Sequence, residues 1–131
     1  MITGLDTGYF LRLLEGNEEA VSVWKSIMEG DRQAVVCALT FFELKRLSLQ
    51  GRIKKDATQK LIEAIEVLCR IVWLDNIDLL IQSASLSHGT GIPTVDSIIV
   101  MSLVSLRAVH IYTTDSHLQA YKNKAVKIIK I

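Results

Sequence analysis

The chain has 131 residues, of which 50% are hydrophobic and 22% charged, with a formal net charge of +1. That composition describes one folded domain, able to bury a core without disulfides or a structural metal, and excludes a disordered chain. The near-neutral balance excludes a generic polyanion binder, and no run of about eighteen uncharged apolar residues exists to cross a bilayer.

Short apolar runs alternate with helical periodicity along the chain, the pattern of a parallel sheet covered by helices. Ile2–Leu5 is a first strand, short and interrupted by Gly4. Helices follow over Thr7–Leu14 and about Glu18–Glu29, then a buried strand over Ala34–Ala38. Thr40 is placed to N-cap a helix running to about Gln50, with Glu43 three residues on, as in a capping box, and Gly51 ends it. The next helix, about Lys54–Cys69, carries Ala57, Leu61, Ala64, Ile65 and Leu68 on one stripe. Ile71–Leu74 is a third strand. The helix after it presents Ile77, Ile81, Ala84 and His88 on one face and stops at Gly89.

Pro93 and Thr94 open a helix over Val95–Arg107 that is apolar nearly all round, which suits a position under an active site or in a subunit contact. Val109–Tyr112 is a strand, Ser116–Tyr121 a short helix and Val126–Ile129 a last strand. No linker, repeat or low-complexity tract divides the chain, so residues 1–131 form a single domain. Cys37 and Cys69 lie inside apolar stretches without metal-ligand spacing and are expected as reduced thiols in a cytoplasmic protein. The N-terminal MITGLDTGYF has an acid where an export signal needs basic residues.

Four acids carry the functional signal: Asp6 in GLDTGYF, Glu43 in TFFELKRL, Asp96 in GIPTVDSII and Asp115 in IYTTDSHL. Each sits where an apolar run gives way to polar or helical sequence. If those runs are neighbouring parallel strands, the carboxylates converge at the sheet edge where open α/β folds bind ligands. Each also has a structural explanation. Asp6 and Asp115 suit N-caps, Asp96 suits a first helical turn, and Glu43 suits a capping box or a pair with Arg46. Four together are less readily explained that way, and a self-repelling carboxylate cluster is the usual seat of a hard divalent ion. The ten other acids fall on polar helix faces or in loops; only Asp75 also follows a strand. Among the histidines, His117 follows the fourth acid and is read as incidental, His88 sits on an apolar stripe, and His110 lies within a strand. Lys45, Arg46, Arg52, Lys54 and Lys55 crowd one segment, and Lys122, Lys124, Lys127 and Lys130 mark the tail. Such runs are either solvated faces or a phosphate-contacting rim.

These segments resemble the PIN-domain nucleases. LDTGYF is similar to the family's strand ending in Asp followed by Thr or Ser, and FFELKRL to its helical Glu segment. GIPTVDSIIVMSLV is similar to its third acid at the start of a buried helix, and IYTTDSHL to its T-x-D segment after a strand. The likeness runs from Ile2 to Ile129. It implies a three-layer α/β/α fold with a central, mainly parallel sheet. Asp6, Glu43, Asp96 and Asp115 would be catalytic, metal-binding carboxylates, and Thr7 and Thr114 supporting hydroxyls. The cofactor would be Mg²⁺ or Mn²⁺ and the substrate RNA, with Lys45 and Arg46 as candidate substrate contacts. Many small members are toxins of a VapBC-type toxin–antitoxin pair, commonly dimeric, so a homodimer and an antitoxin partner are expected, and no membrane. Gly8 departs from the pattern, as it stands where Asn or Ser is common; Ser116 and His117 stand where some members carry a further acid. The expected activity is metal-dependent endoribonuclease cleavage. A catalytically decayed RNA- or partner-binding module is the alternative, and a receiver-like or phosphatase-like domain is disfavoured because LDTGYF lacks a D-x-D pair.

Overall fold

The computed structural model describes all 131 residues, Met1–Ile131. Five strands, β1 (Ile2–Leu5), β2 (Gln33–Cys37), β3 (Cys69–Val72), β4 (His110–Thr113) and β5 (Lys127–Lys130), form one sheet in the order β3-β2-β1-β4-β5. Every pairing is parallel. Six α-helices connect them: α1 (Thr7–Leu14), α2 (Glu18–Met28), α3 (Leu39–Leu49), α4 (Lys55–Leu68), α5 (Ile77–Thr90) and α6 (Thr94–Ser105). A 3-10 helix, Ser116–Ala120, joins β4 to the last strand. The chain is therefore the three-layer α/β/α domain expected.

Period-two alternation splits the core between the two faces of the sheet. Ala34 and Val36 of β2 and Tyr112 of β4 pack with Tyr9, Phe10, Val23, Leu61 and Ile65 from α1, α2 and α4. Val35, Cys37 and Ile111 face the other way, against Ile99, Val100 and Leu103 of α6. Gly4 explains the weak look of the first strand. A β-carbon there would lie 3.0 Å from the side chain of Leu103, so the missing side chain lets α6 lie close against β1.

Several local expectations need correction. Thr40 is buried inside α3, which starts at Leu39 with Ala38 at its N-cap and no side-chain cap, so Glu43 closes no capping box. The third strand is Cys69–Val72 rather than Ile71–Leu74, because α4 runs straight into it and Val72 must pair with Cys37. Trp73 consequently lies outside the sheet, exposed. Helix α5 passes through Gly89 to Thr90 and ends on Gly91 in the left-handed conformation (φ 76°). Its buried residues are Leu79 and Ser83, whereas Ile77 and Ile81 are 76% and 59% exposed. The apolar stretch Ile98–Leu106 is spent on the core along one side only. Ile99, Val100 and Leu103 are no more than 2% exposed, while Ile98, Met101, Val104 and Leu106 on the outer side of the helix stay partly exposed.

Candidate active site

Strands β2 and β3 lie on one side of β1, and β4 and β5 on the other, so the chain's crossovers diverge between β1 and β4. At such a switch point two loops leave in opposite directions and open a crevice at the carboxyl ends of the strands. Leu5, the last residue of β1, is in register with Val36 of β2 and Tyr112 of β4. The next residues along these strands, Asp6 and Thr113, therefore meet at the mouth of that crevice.

Asp6 is buried, and both of its carboxylate oxygens are occupied. Oδ1 accepts the Tyr9 backbone N–H at 3.0 Å, capping α1, and Oδ2 accepts the hydroxyl of Thr113 at 2.5 Å. The same Thr113 oxygen accepts the Asp115 backbone N–H at 2.9 Å, so one buried hydroxyl fixes two of the four acid segments. This hydroxyl is one residue earlier than Thr114, the one expected. β4 extends through position 113, and the alternation of the strand turns Thr113 inward. Thr114 instead packs against α1. A β-carbon on Gly8 would come within 2.1 Å of the Thr114 Oγ1, which accounts for glycine at the position where the sequence departs from the expected pattern.

Glu43 projects from the second turn of α3 and makes no ion pair with Arg46. Its carboxylate accepts the Thr7 hydroxyl at 2.5 Å, and Thr7 Oγ1 lies 3.3 Å from Thr40 Oγ1. Because Thr7 has one proton to give and gives it to Glu43, Thr40 donates to Thr7. Asp115 caps the 3-10 helix through the His117 N–H at 2.8 Å, and its Oδ1 also contacts His117 Nδ1 at 2.9 Å. Asp96 stands in the first turn of α6, half-buried, held by no hydroxyl or backbone N–H and close enough to Asp115 to share a proton with it.

Electrostatics tie the four together. Burial pushes the Asp6 carboxyl up to about 6; the Thr113 and Tyr9 bonds oppose the rise, and the charges of Asp96 and Glu43 add to it. Asp96 is likewise raised to about 6, by burial first, then by Asp115 and Glu43, with His117 acting against the rise. No Lys or Arg pairs with any of these acids; the ion pairs are Arg12–Glu15 and His117–Asp115. Asp75 lies exposed beyond the edge strand β3, apart from the group. Lys45 and Arg46 are exposed on α3 and paired to nothing. The cluster thus combines oxygen donors with uncompensated negative charge, the donor chemistry of a hard divalent cation. The side chains as they stand do not bring three such ligands around a single point.

A family model described as "PIN domain" matches residues 4–124. The chain belongs to the PIN-domain family. Proteins of this family are generally nucleases that use divalent metals. Solved structures share the fold over nearly the whole chain. VapBC2 from Rickettsia felis, bound to a DNA fragment from its promoter, aligns with a TM-score of 0.74 at 12% identity, covering 100% of this chain and 99% of the other. VapBC-1 from nontypeable Haemophilus influenzae aligns with a TM-score of 0.70 at 18% identity, covering 99% and 98%. FitAcB from Neisseria gonorrhoeae gives 0.66 at 25% identity, covering 99% and 97%. No curated protein matches the sequence.

Proposed function

We propose that this PIN domain is a metal-dependent endoribonuclease, the toxin of a toxin–antitoxin pair. The observation that carries the reading is the gathering of Asp6, Glu43, Asp96 and Asp115 at the β1–β4 switch point with no Lys or Arg paired to any of them. Asp6, Glu43, Asp96 and Asp115 would hold one or two Mg²⁺ or Mn²⁺ ions. When bound, such an ion supplies neutralising charge at a phosphodiester and lowers the pKa of a water.

The chain's own residues do the remaining work. Tyr9 N–H and Thr113 lock the Asp6 carboxylate, Thr7 locks Glu43, and Thr113 sets the backbone of Asp115. Asp96, the member held by no hydroxyl or backbone N–H, is free to orient an attacking water and to take its proton. Lys45 and Arg46 on the exposed face of α3 supply phosphate contacts. The toxin assignment draws on the fold shared with VapBC and other toxin–antitoxin complexes. An antitoxin polypeptide and a second copy of the chain are the partners this reading carries. It also places the protein in the cytoplasm, in keeping with Cys37 and Cys69 as free buried thiols; no helix is long and apolar enough to cross a membrane.

A second reading, a non-catalytic RNA- or partner-binding module, draws on the fact that the carboxylates do not close around one point. One assay separates the two. Purified protein with Mg²⁺ or Mn²⁺ should cut single-stranded or structured RNA, EDTA should stop it, and Asp96→Asn should remove it. Cleavage undiminished in EDTA rules out the metal-dependent mechanism, and no cleavage with either metal leaves the binding module.

A further inference from the structure

The segment that carries Asp115 also builds a second feature, at its far end. After the 3-10 helix the chain turns through Tyr121–Val126 before entering β5. An open cavity of about 830 Å³ lies here, lined by Gln119, Tyr121, Lys122, Lys124 and Lys127 among others. Its lining contains three lysines and no acid. The other sizeable cavities either mix acids with their cations or hold no lysine at all. The turn is ordered by Asn123, which donates from Nδ2 to the Tyr121 hydroxyl at 3.0 Å and accepts the Ala125 N–H at 2.8 Å. A backbone bridge between Asn123 and Val126 closes it. Lys122 and Lys124 flank that fixed asparagine, so both ammonium groups are presented from a defined loop, with an aromatic ring beside them.

We propose that this groove binds the phosphate backbone of single-stranded RNA, as the flank of the strand whose scissile phosphate meets the carboxylates. The proposal rests on the RNA-cleavage reading above. Four carboxylates repel a polyanion, and a net charge of +1 offers little long-range attraction to offset that, so a concentrated cationic tract along the path of the strand is needed. The groove lies at the amino end of the sheet, since Lys127 pairs with His110 at the start of β4, whereas Asp115 follows the end of that strand. Five 3-10 residues at about 2 Å each and two extended residues at about 3.5 Å put Lys122 within about 17 Å of chain from Asp115. A strand seated at the carboxylates reaches the groove by running down the β4–β5 side of the domain for a few nucleotides. Tyr121, packed on one side against the core and held by its hydroxyl, leaves the rest of its ring exposed, where an unpaired base can stack without regard to sequence.

The test is fluorescence anisotropy of labelled polyuridylate with the full chain in EDTA, across a series of KCl concentrations. The double variant Lys122→Gln/Lys124→Gln should bind several-fold more weakly and lower the slope of log K against log salt by about 1.4, the loss of two single-strand phosphate contacts. Lys60→Gln, an exposed lysine on α4 far along the chain, should leave the slope where it is. An unaltered slope in the double variant, or an equal fall in Lys60→Gln, overturns the proposal. Polyglutamate bound by the wild type as tightly as polyuridylate would also overturn it, by assigning the groove to an acidic protein segment. Because nothing here requires cleavage, the two readings fail separately. Lysine-dependent binding by a protein that does not cut RNA removes the nuclease reading, and an RNA-cutting protein with an undiminished slope in the double variant removes the groove.

Discussion

A β-carbon added to Gly8 would sit 2.1 Å from the hydroxyl oxygen of Thr114 and 3.1 Å from both its Cβ and its backbone nitrogen. The first turn of α1 and the end of β4 are thus pressed together through a missing side chain, beside both Asp6 and Asp115. Gly8→Ala should therefore destabilise the domain by about 1–3 kcal/mol through overpacking, although alanine is the better helix former. Adding Thr114→Ala removes the nearest atom but leaves the backbone contact, so the double variant should recover part of the loss. Urea unfolding of the four proteins in the cycle measures the coupling. Independent, additive losses would show that the two residues do not press on each other.

Thr113 donates to Asp6 and accepts from Asp115, and both links vanish in the near-isosteric Thr113→Val. A buried carboxylate oxygen would lose its donor and a backbone N–H its acceptor, costing about 1–3 kcal/mol. The Thr113 bond lowers the Asp6 pKa against burial, so its removal raises that pKa further. Less of the ionised form is then present in mildly acid solution. The acid limb of the RNA-cleavage profile should move to higher pH in Thr113→Val, with lower activity at neutral pH. A profile superimposable on wild type would show that the hydroxyl does not support the site.

The acids were legible in the sequence, and Thr113 was not. Asp6 and Asp115 follow β1 and β4, whose ends the parallel register brings level, whereas Asp96 opens α6 behind Pro93 and no strand register places it. Which of two adjacent threonines turns inward depends on the last residue of β4, and strand ends are poorly marked by composition. The same weakness displaced β3 by two residues, since Val72, Trp73 and Leu74 are equally apolar and only pairing with Cys37 selects among them. On α5 the stripe Ile77–Ile81 looked like a core face. The buried positions are Leu79 and Ser83, and Ser83 is satisfied by its bond to the Leu79 carbonyl at 2.7 Å.

That exposed stripe offers a further surface for the expected homodimer contact. Trp73, Ile77, Leu80 and Ile81 are 63%, 76%, 43% and 59% exposed on neighbouring positions, and α5 carries Asp78 as its one charged side chain apart from His88. A weakly charged apolar face is compatible with a two-fold contact, in which each residue meets a copy of the same surface. Ile77→Lys/Ile81→Lys should convert a dimer to a monomer in light scattering while leaving the fold intact, because neither side chain is packed. A wild-type monomer at every accessible concentration would remove this contact.

The final prediction separates a shared cation site from four unrelated caps. Asp6 and Asp96 have folded pKa values of about 6 against an ordinary 3.8. Between about pH 4 and 6 the folded protein therefore holds more protons than the unfolded chain, and these groups make metal-free stability fall as pH rises through that window. For buried Asp6 the rise corresponds to at most about 3 kcal/mol; half-exposed Asp96 contributes less because solvent screens it. Asp96→Asn removes one titrating group and relieves its repulsion of Asp6. In EDTA at pH 7 this variant should melt at or above the wild-type temperature, with a flatter dependence on pH. Mn²⁺ should stabilise the wild type strongly at pH 7 and the variant little, because the ion favours the ionised carboxylates that the folded protein otherwise resists. If Asp96 served only the α6 dipole, the same change would cost a few tenths to about 1 kcal/mol with or without metal. A variant that melts below wild type in EDTA and keeps the full Mn²⁺ shift would show that these carboxylates share no ion.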